Sequence, residues 1–184
     1  MHATMHVADT VLTVRPIEVT DIDRLERTFG RLSPESVRFR FFAPIPRLQP
    51  SELRRLTDVD HRRRDVIVAL HDDEIVAVAR YSGMADRGES GSHEAELAVT
   101  VEDTWQHRGL GRRRSRRLGA LARERGYDAF VARILPDNRA ALGLVHKMAP
   151  DARVRFADGD YEARVPLTAP ATTRRSRSPV SRMW

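Results

Sequence analysis

Gln106-His107-Arg108-Gly109-Leu110-Gly111 is the stretch on which the reading of this chain turns. The residues before it, Ala95-Glu96-Leu97-Ala98-Val99-Thr100-Val101, have the apolar, β-branched character of a strand. Those after it, Arg112 to Arg125, carry Leu118, Leu121 and Ala122 at helical spacing. A strand, a short turn and a glycine-rich helix entry make a cradle for an anion. The leading amides of a helix have no partners inside it, and the helix dipole favours negative charge there. Gly109 and Gly111 remove the Cβ atoms that would hold a phosphate away from the backbone. The amides of Arg108, Gly109, Leu110, Gly111 and Arg112 are therefore candidates to hold the pyrophosphate of a coenzyme.

The 184 residues suffice for one domain with short tails and a sizeable core. There is no cysteine, which excludes disulfides, thiolate metal sites and a cysteine nucleophile. The seven histidines are scattered without paired spacing, so no metal is expected, and no serine–histidine–acid set stands out. No apolar run approaches the ~20 residues of a membrane span. Met1 to Thr10 lacks the pattern of a secretory signal, so a cytoplasmic location and no membrane partner are expected. The net charge of +6 comes almost wholly from arginine, with Lys147 the only lysine. Acids are interspersed among the arginines and the few aromatics do not alternate with them, which favours a solvated surface over a nucleic-acid platform.

In chain order, residues 1–9 read as a disordered lead and Thr10 to Pro16 as a first strand. Thr20 or Asp21 can cap a helix bearing Ile22, Leu25 and Phe29, ended by Gly30. Ser33-Pro34 starts a second helix and Ser51-Glu52-Leu53 a third, with prolines 44, 46 and 50 between them. Residues 65–70 and 74–81 read as an antiparallel hairpin, 83–92 as a loop and 94–101 as the strand that reaches the glycine turn. A strand over 128–135 follows, then a helix capped by Asn138 and a closing hairpin around Asp158-Gly159. The domain is expected over 10–167 and a disordered basic tail over 168–184.

The strand, the complete Gln-x-x-Gly-x-Gly turn and the element order resemble the GNAT acetyltransferases over residues 10–167. Leu32-Ser33-Pro34-Glu35-Ser36, Arg40-Phe41-Phe42 and Leu53 to Asp60 are similar to the acetyltransferase domain of bacterial Pat-type protein lysine acetyltransferases. The resemblance implies an α/β (α+β) fold. Its sheet would be mixed, mostly antiparallel and seven-stranded, with helices on both faces and a splay between the fourth and fifth strands. It also implies an N-acetyltransferase with acetyl-CoA as co-substrate and an amine acceptor, in this subgroup a protein lysine. The alternatives are a small-molecule amine acceptor, or a coenzyme-binding regulator without catalysis. The chain has no room for the cyclic-nucleotide or ligase-like regulatory domain that Pat-type enzymes often carry.

The resemblance assigns roles residue by residue. Glu96 matches the general base, with Glu94 on the same face as a weaker candidate; solvent exposure is the plain alternative for Glu96. Backbone groups of Val99 and Val101 would pair with the pantetheine arm, Thr100 between them is a further coenzyme-binding candidate, and Gln106, Arg108, Gly109, Leu110, Gly111 and Arg112 form the turn that would hold the pyrophosphate. Asn138 matches an asparagine beside that arm. Seven residues later many members carry a tyrosine that protonates the thiolate; here it is Val145, and the adjacent His146 would point elsewhere on a helix. The central helix has Arg114 and Ser115 where the family is usually apolar, which implies either arginines reaching the phosphates or a less buried helix.

Overall fold

Two separate apolar stripes in the strands build a sheet covered on both faces. The structure, a computed structural model, describes residues 3–7, 10–84, 92–108 and 110–167, without the side chains of Ala3, His6, Val7 and Arg112 to Arg114. Gly109, most of the 83–92 loop and the basic tail lie outside the described residues.

Eight strands occur where seven are expected: β1 (Ala3–Val7), β2 (Thr10–Pro16), β3 (Arg64–His71), β4 (Glu74–Gly83), β5 (Glu94–Val101), β6 (Ala129–Ile134), β7 (Arg153–Ala157) and β8 (Asp160–Pro166). The extra strand corrects the reading of the lead as disordered. Ala3 to Val7 alternate apolar and polar, pair antiparallel with β2, and send Met5 against the core. Five helices are α1 (Ile22–Gly30), α2 (Pro34–Phe41), α3 (Pro50–Thr57), α4 (Leu110–Glu124) and α5 (Arg139–Met148). The strand order is β1-β2-β3-β4-β5-β6-β8-β7, and β5–β6 is the only parallel pair among the described strands.

Residue parity divides the core, because successive side chains in a strand point to opposite faces. One face gathers Val66, Val68, Leu70, Ile17, Leu25 and Leu53 beneath α1 and α3. The other gathers Ile67, Ala79, Leu97, Phe130, Leu118 and Val145 beneath α4 and α5. Ser115 of α4 is fully buried and donates its hydroxyl to the Gly111 carbonyl at 2.9 Å. A less buried helix is therefore not the outcome at that position.

The turns follow their chemistry. The Ser33 hydroxyl accepts from the Ser36 amide at 3.2 Å and caps α2. Asp158 and Gly159 take φ of 54° and 88°, as a tight hairpin requires. Asp21 departs from its expected capping role. It is fully buried, and its carboxylate accepts from Arg15 at 2.6 and 2.7 Å and from the Glu18 amide at 2.9 Å.

Candidate active site

Strands β5 and β6 pair through only three positions, Glu94↔Ala129, Ala95↔Phe130 and Glu96↔Val131. On its other side β5 stays paired with β4 as far as Ala77↔Val101. The strands therefore part after Glu96, which is the splay expected between the fourth and fifth strands, now β5 and β6.

Parity then decides which backbone groups this opening leaves free. The amide of Glu102 donates to the Val76 carbonyl, and that of Met84 to the Glu94 carbonyl, both at 3.0 Å. Even-numbered residues of β5 thus exchange their hydrogen bonds with β4, and odd-numbered ones face β6. Val99 turns its N–H and C=O groups into the splay, and Val101 its N–H, the Val101 carbonyl being taken by Gln106. Thr100 does not: its backbone is taken by β4, and its side chain lines a pocket on the opposite face. Thr100 thus turns no backbone group into the splay.

The splay leads to the glycine turn. The Gln106 side chain is held inside the protein: its Nε2 donates to the Val101 carbonyl and to the Ser36 hydroxyl, each at 3.2 Å. Asp103 accepts from the Ser33 amide at 3.0 Å, the Ser33 hydroxyl at 2.7 Å and the Ser36 hydroxyl at 2.9 Å. Burial pushes the Asp103 carboxyl up, but these donors hold it below its ordinary value. The start of α2 and the start of the turn are thereby tied together.

Arg108 is exposed and places its guanidinium 4.9 Å from the Trp105 ring centre. Leu110 is buried at the head of α4. A Cβ on Gly111 would stand 3.2 Å from Leu144 and 3.9 Å from Val99, so this glycine makes room for packing against α5. The first amides of a helix have no partners inside it, and α4 begins at Leu110, shortly after β5 ends at Val101.

Across the splay, Asn138 Oδ1 accepts from the Ala141 amide at 3.0 Å, and its Nδ2 has no partner among the described residues. It is the N-cap of α5 and also retains a donor for a ligand. Val145 is buried in the core and His146 is exposed. Neither supplies an acid where the family's tyrosine would stand.

Glu96 is exposed on the α1–α3 face. Its cross-strand neighbour is Ser82, and Arg80 lies one position further along β4 opposite Ala98. Arg40 of α2 and Arg80 both feel the Glu96 charge. Burial, then the repulsion of Arg80, brings Arg40 down to about 10 despite the opposing pull of Glu96. Burial likewise lowers Arg80, again against the pull of Glu96. Glu94 is buried and accepts from Arg164 at 2.6 Å and from Ser92 at 3.0 Å, so it is engaged rather than available. Arg40 and Arg80 were not singled out in the sequence. The signal for Arg80 was a charge interrupting the apolar run from Ile75 to Tyr81.

No group of histidines, cysteines and carboxylates that could hold a metal occurs among the described residues. Nor is any described helix long and apolar enough to cross a membrane.

Known proteins resemble this chain in sequence and fold. The Acetyltransferase (GNAT) family model matches residues 32–149. An acetyltransferase of Pseudomonas aeruginosa is 32% identical over 148 residues, spanning 75% of this chain and 77% of that protein. The crystal structure of the GNAT domain of S. lividans PAT superposes with a TM-score of 0.80 at 31% identity, over 90% of this chain and 96% of that one. A Salmonella typhimurium protein solved with its cofactor acetyl-CoA shares the fold, with a TM-score of 0.66 at 20% identity over 87% and 96% of the two chains.

Proposed function

This chain belongs to the GNAT acetyltransferase family and takes acetyl-CoA as its acetyl donor, and we propose that its acceptor is the side-chain amine of a protein lysine. The observation that carries the proposal is the position of Glu96, an exposed carboxylate on the last residue of β5 paired with β6.

Acetyl-CoA supplies an activated acyl group as a thioester. The protein holds the pyrophosphate on the amides at the head of α4, from Arg108 to Arg112. It pairs the pantetheine arm with the free edge at Val99 and Val101, and Asn138 Nδ2 closes the other side. A free lysine titrates near ~10.4, so only about one molecule in several thousand is neutral at pH 7. Glu96 takes the proton as the amine attacks the thioester directly. The Val99 N–H is aimed into the splay, where it can stabilise charge on the thioester oxygen. With Val145 in place of an acid, the thiolate leaves unprotonated or takes its proton from water.

Supporting the lysine acceptor is the likeness to the Pat-type domain over 90% of the chain. Incubation with acetyl-CoA and a panel of proteins and small amines, read by mass spectrometry, tests it. Acetyl-lysine on protein acceptors is expected. Acetylation of small amines alone would replace this reading with a small-molecule acetyltransferase, and turnover of neither would favour a coenzyme-binding regulator.

A further inference from the structure

The sheet face that carries Glu96 is ruled into rows by the strand register. One row runs Arg64–Ser82–Glu96 across β3, β4 and β5, and the next runs Val66–Arg80–Ala98. Arg80 and Glu96 are thus diagonal neighbours on one face, about 7–8 Å apart by sheet geometry. Arg40 comes down onto the same rows from α2, lining one pocket together with Arg80 and Ala98. Arg55 of α3, Arg64, Arg80 and Ser82 line a second pocket next to it. Four guanidinium groups therefore converge on the approach to the proposed base.

What sets Arg40 and Arg80 apart is burial without a carboxylate at ion-pair distance among the described residues. Several other arginines of this protein are matched to acids: Arg15 to Asp21, Arg31 to Glu102, Arg125 to Asp65 and Arg164 to Glu94. Arg40, Arg55, Arg64 and Arg80 have no carboxylate at ion-pair distance among the described residues. Asp60, whose charge interacts with Arg64, spends its Oδ1 on the backbone amides of Arg62 and Arg64, both at 2.9 Å. Burial that works against the charge of Arg40 and Arg80 points the same way, because a desolvated cation gains most from a partner that arrives with the ligand. Glu96 is the acid whose charge opposes the burial of Arg40 and Arg80, and on the proposed function it is the group required to be free for catalysis.

We propose that the acceptor amine is presented with carboxylates beside it, and that Arg40, Arg55, Arg64 and Arg80 bind those carboxylates while Glu96 receives the amine. On the lysine reading above, on which this inference rests, the substrate is a lysine flanked by aspartate or glutamate. A bare ammonium, or one among basic residues, is repelled by the same four charges. The apolar wall of the first pocket, with Phe29, Phe41 and Val78, suits the methylene stem of the lysine.

The test uses the whole chain with acetyl-CoA and lysine peptides that differ only in flanking residues: acidic, neutral or basic. A second arm uses free glutamate, aspartate and lysine. Acid-flanked peptides are expected to win in kcat/KM by about threefold per added carboxylate, the scale of exposed ion pairs, with the preference fading as salt rises. Arg55→Gln and Arg64→Gln are expected to raise KM for the acidic peptide and leave its kcat in place. Equal rates on all three peptides, or a preference that survives these substitutions, overturns the inference while leaving lysine acetylation standing. Turnover of glutamate or aspartate without any peptide keeps the carboxylate chemistry and overturns the peptide source. No turnover in either arm overturns the lysine reading itself.

Discussion

Glu96 of β5 lies opposite Val131 of β6, and that pair is the last rung of the ladder between the two strands. The proposed base and the mouth of the splay thus share one residue. On the proposed function, Glu96 would meet the acceptor on the α1–α3 face, while the edge of β5 beyond it, at Val99 and Val101, would meet the coenzyme.

Glu96→Gln keeps the shape and removes the base. Because Glu96 is exposed, the fold is expected to be unaffected. Turnover should fall by about 10²–10⁴, the usual contribution of a positioned base. Acetyl-CoA affinity, measured by calorimetry, should stay within error of wild type. Unchanged turnover would remove Glu96 from this role.

Asn138 caps α5, and the proposed function gives it a second, separable role at the coenzyme. Asn138→Asp retains the oxygen that accepts from the Ala141 amide but loses Nδ2, whereas Asn138→Ala loses both. The aspartate variant is expected to keep its Tm and weaken acetyl-CoA binding. The alanine variant should in addition lose about 0.5–2 kcal/mol of stability with the cap. If the aspartate variant binds acetyl-CoA as tightly as wild type, the amide serves only the helix.

Gly111 distinguishes packing from phosphate contact. The missing Cβ faces Leu144, a half-buried side chain able to shift by tenths of an ångström. Gly111→Ala should therefore change stability by no more than roughly 0.5 kcal/mol, the contact being offset by the gain in helix propensity. Acetyl-CoA affinity should be retained. A variant with wild-type Tm and lost affinity would place the phosphate against this carbon instead.

Stability should respond to acid through Asp21. Burial pushes its carboxyl up, but hydrogen bonds from Arg15 and from the Glu18 amide, with the charges of Arg15 and Arg24, leave it below its ordinary 3.8. A depressed carboxyl contributes stability in full above the unfolded value and loses it as pH falls through the folded one. Asp21→Asn strands Arg15 and should cost about 3–5 kcal/mol near neutrality, as loss of one member of a buried pair does. The Tm difference between wild type and Asp21→Asn should shrink once pH drops below 3.8. A difference constant through that range would show that the charge on Asp21 contributes nothing.

Several local elements were legible in the sequence because local chemistry fixes them. The Asn138 cap, the Ser33-Pro34 start and the Asp158-Gly159 hairpin each need particular residues at particular backbone angles, and each formed where those residues stand. β1 was missed because five alternating residues near the chain start carry little signal until β2 pairs with them. Which backbone groups of β5 face the splay was not legible, because a strand sequence does not say which residues face which neighbour; that is set by the register with β4. The arginine cluster was invisible for the same reason. Arg40, Arg55, Arg64 and Arg80 come from α2, α3, β3 and β4, and only the fold brings them to one face.

Titration calorimetry of the whole chain with acetyl-CoA tests the central claim most directly. The account predicts saturable binding of one molecule per chain, weakened in Asn138→Asp and preserved in Glu96→Gln. Absence of binding at millimolar acetyl-CoA by a folded chain would contradict it, since the free edge of β5 and the head of α4 would then have some other occupant.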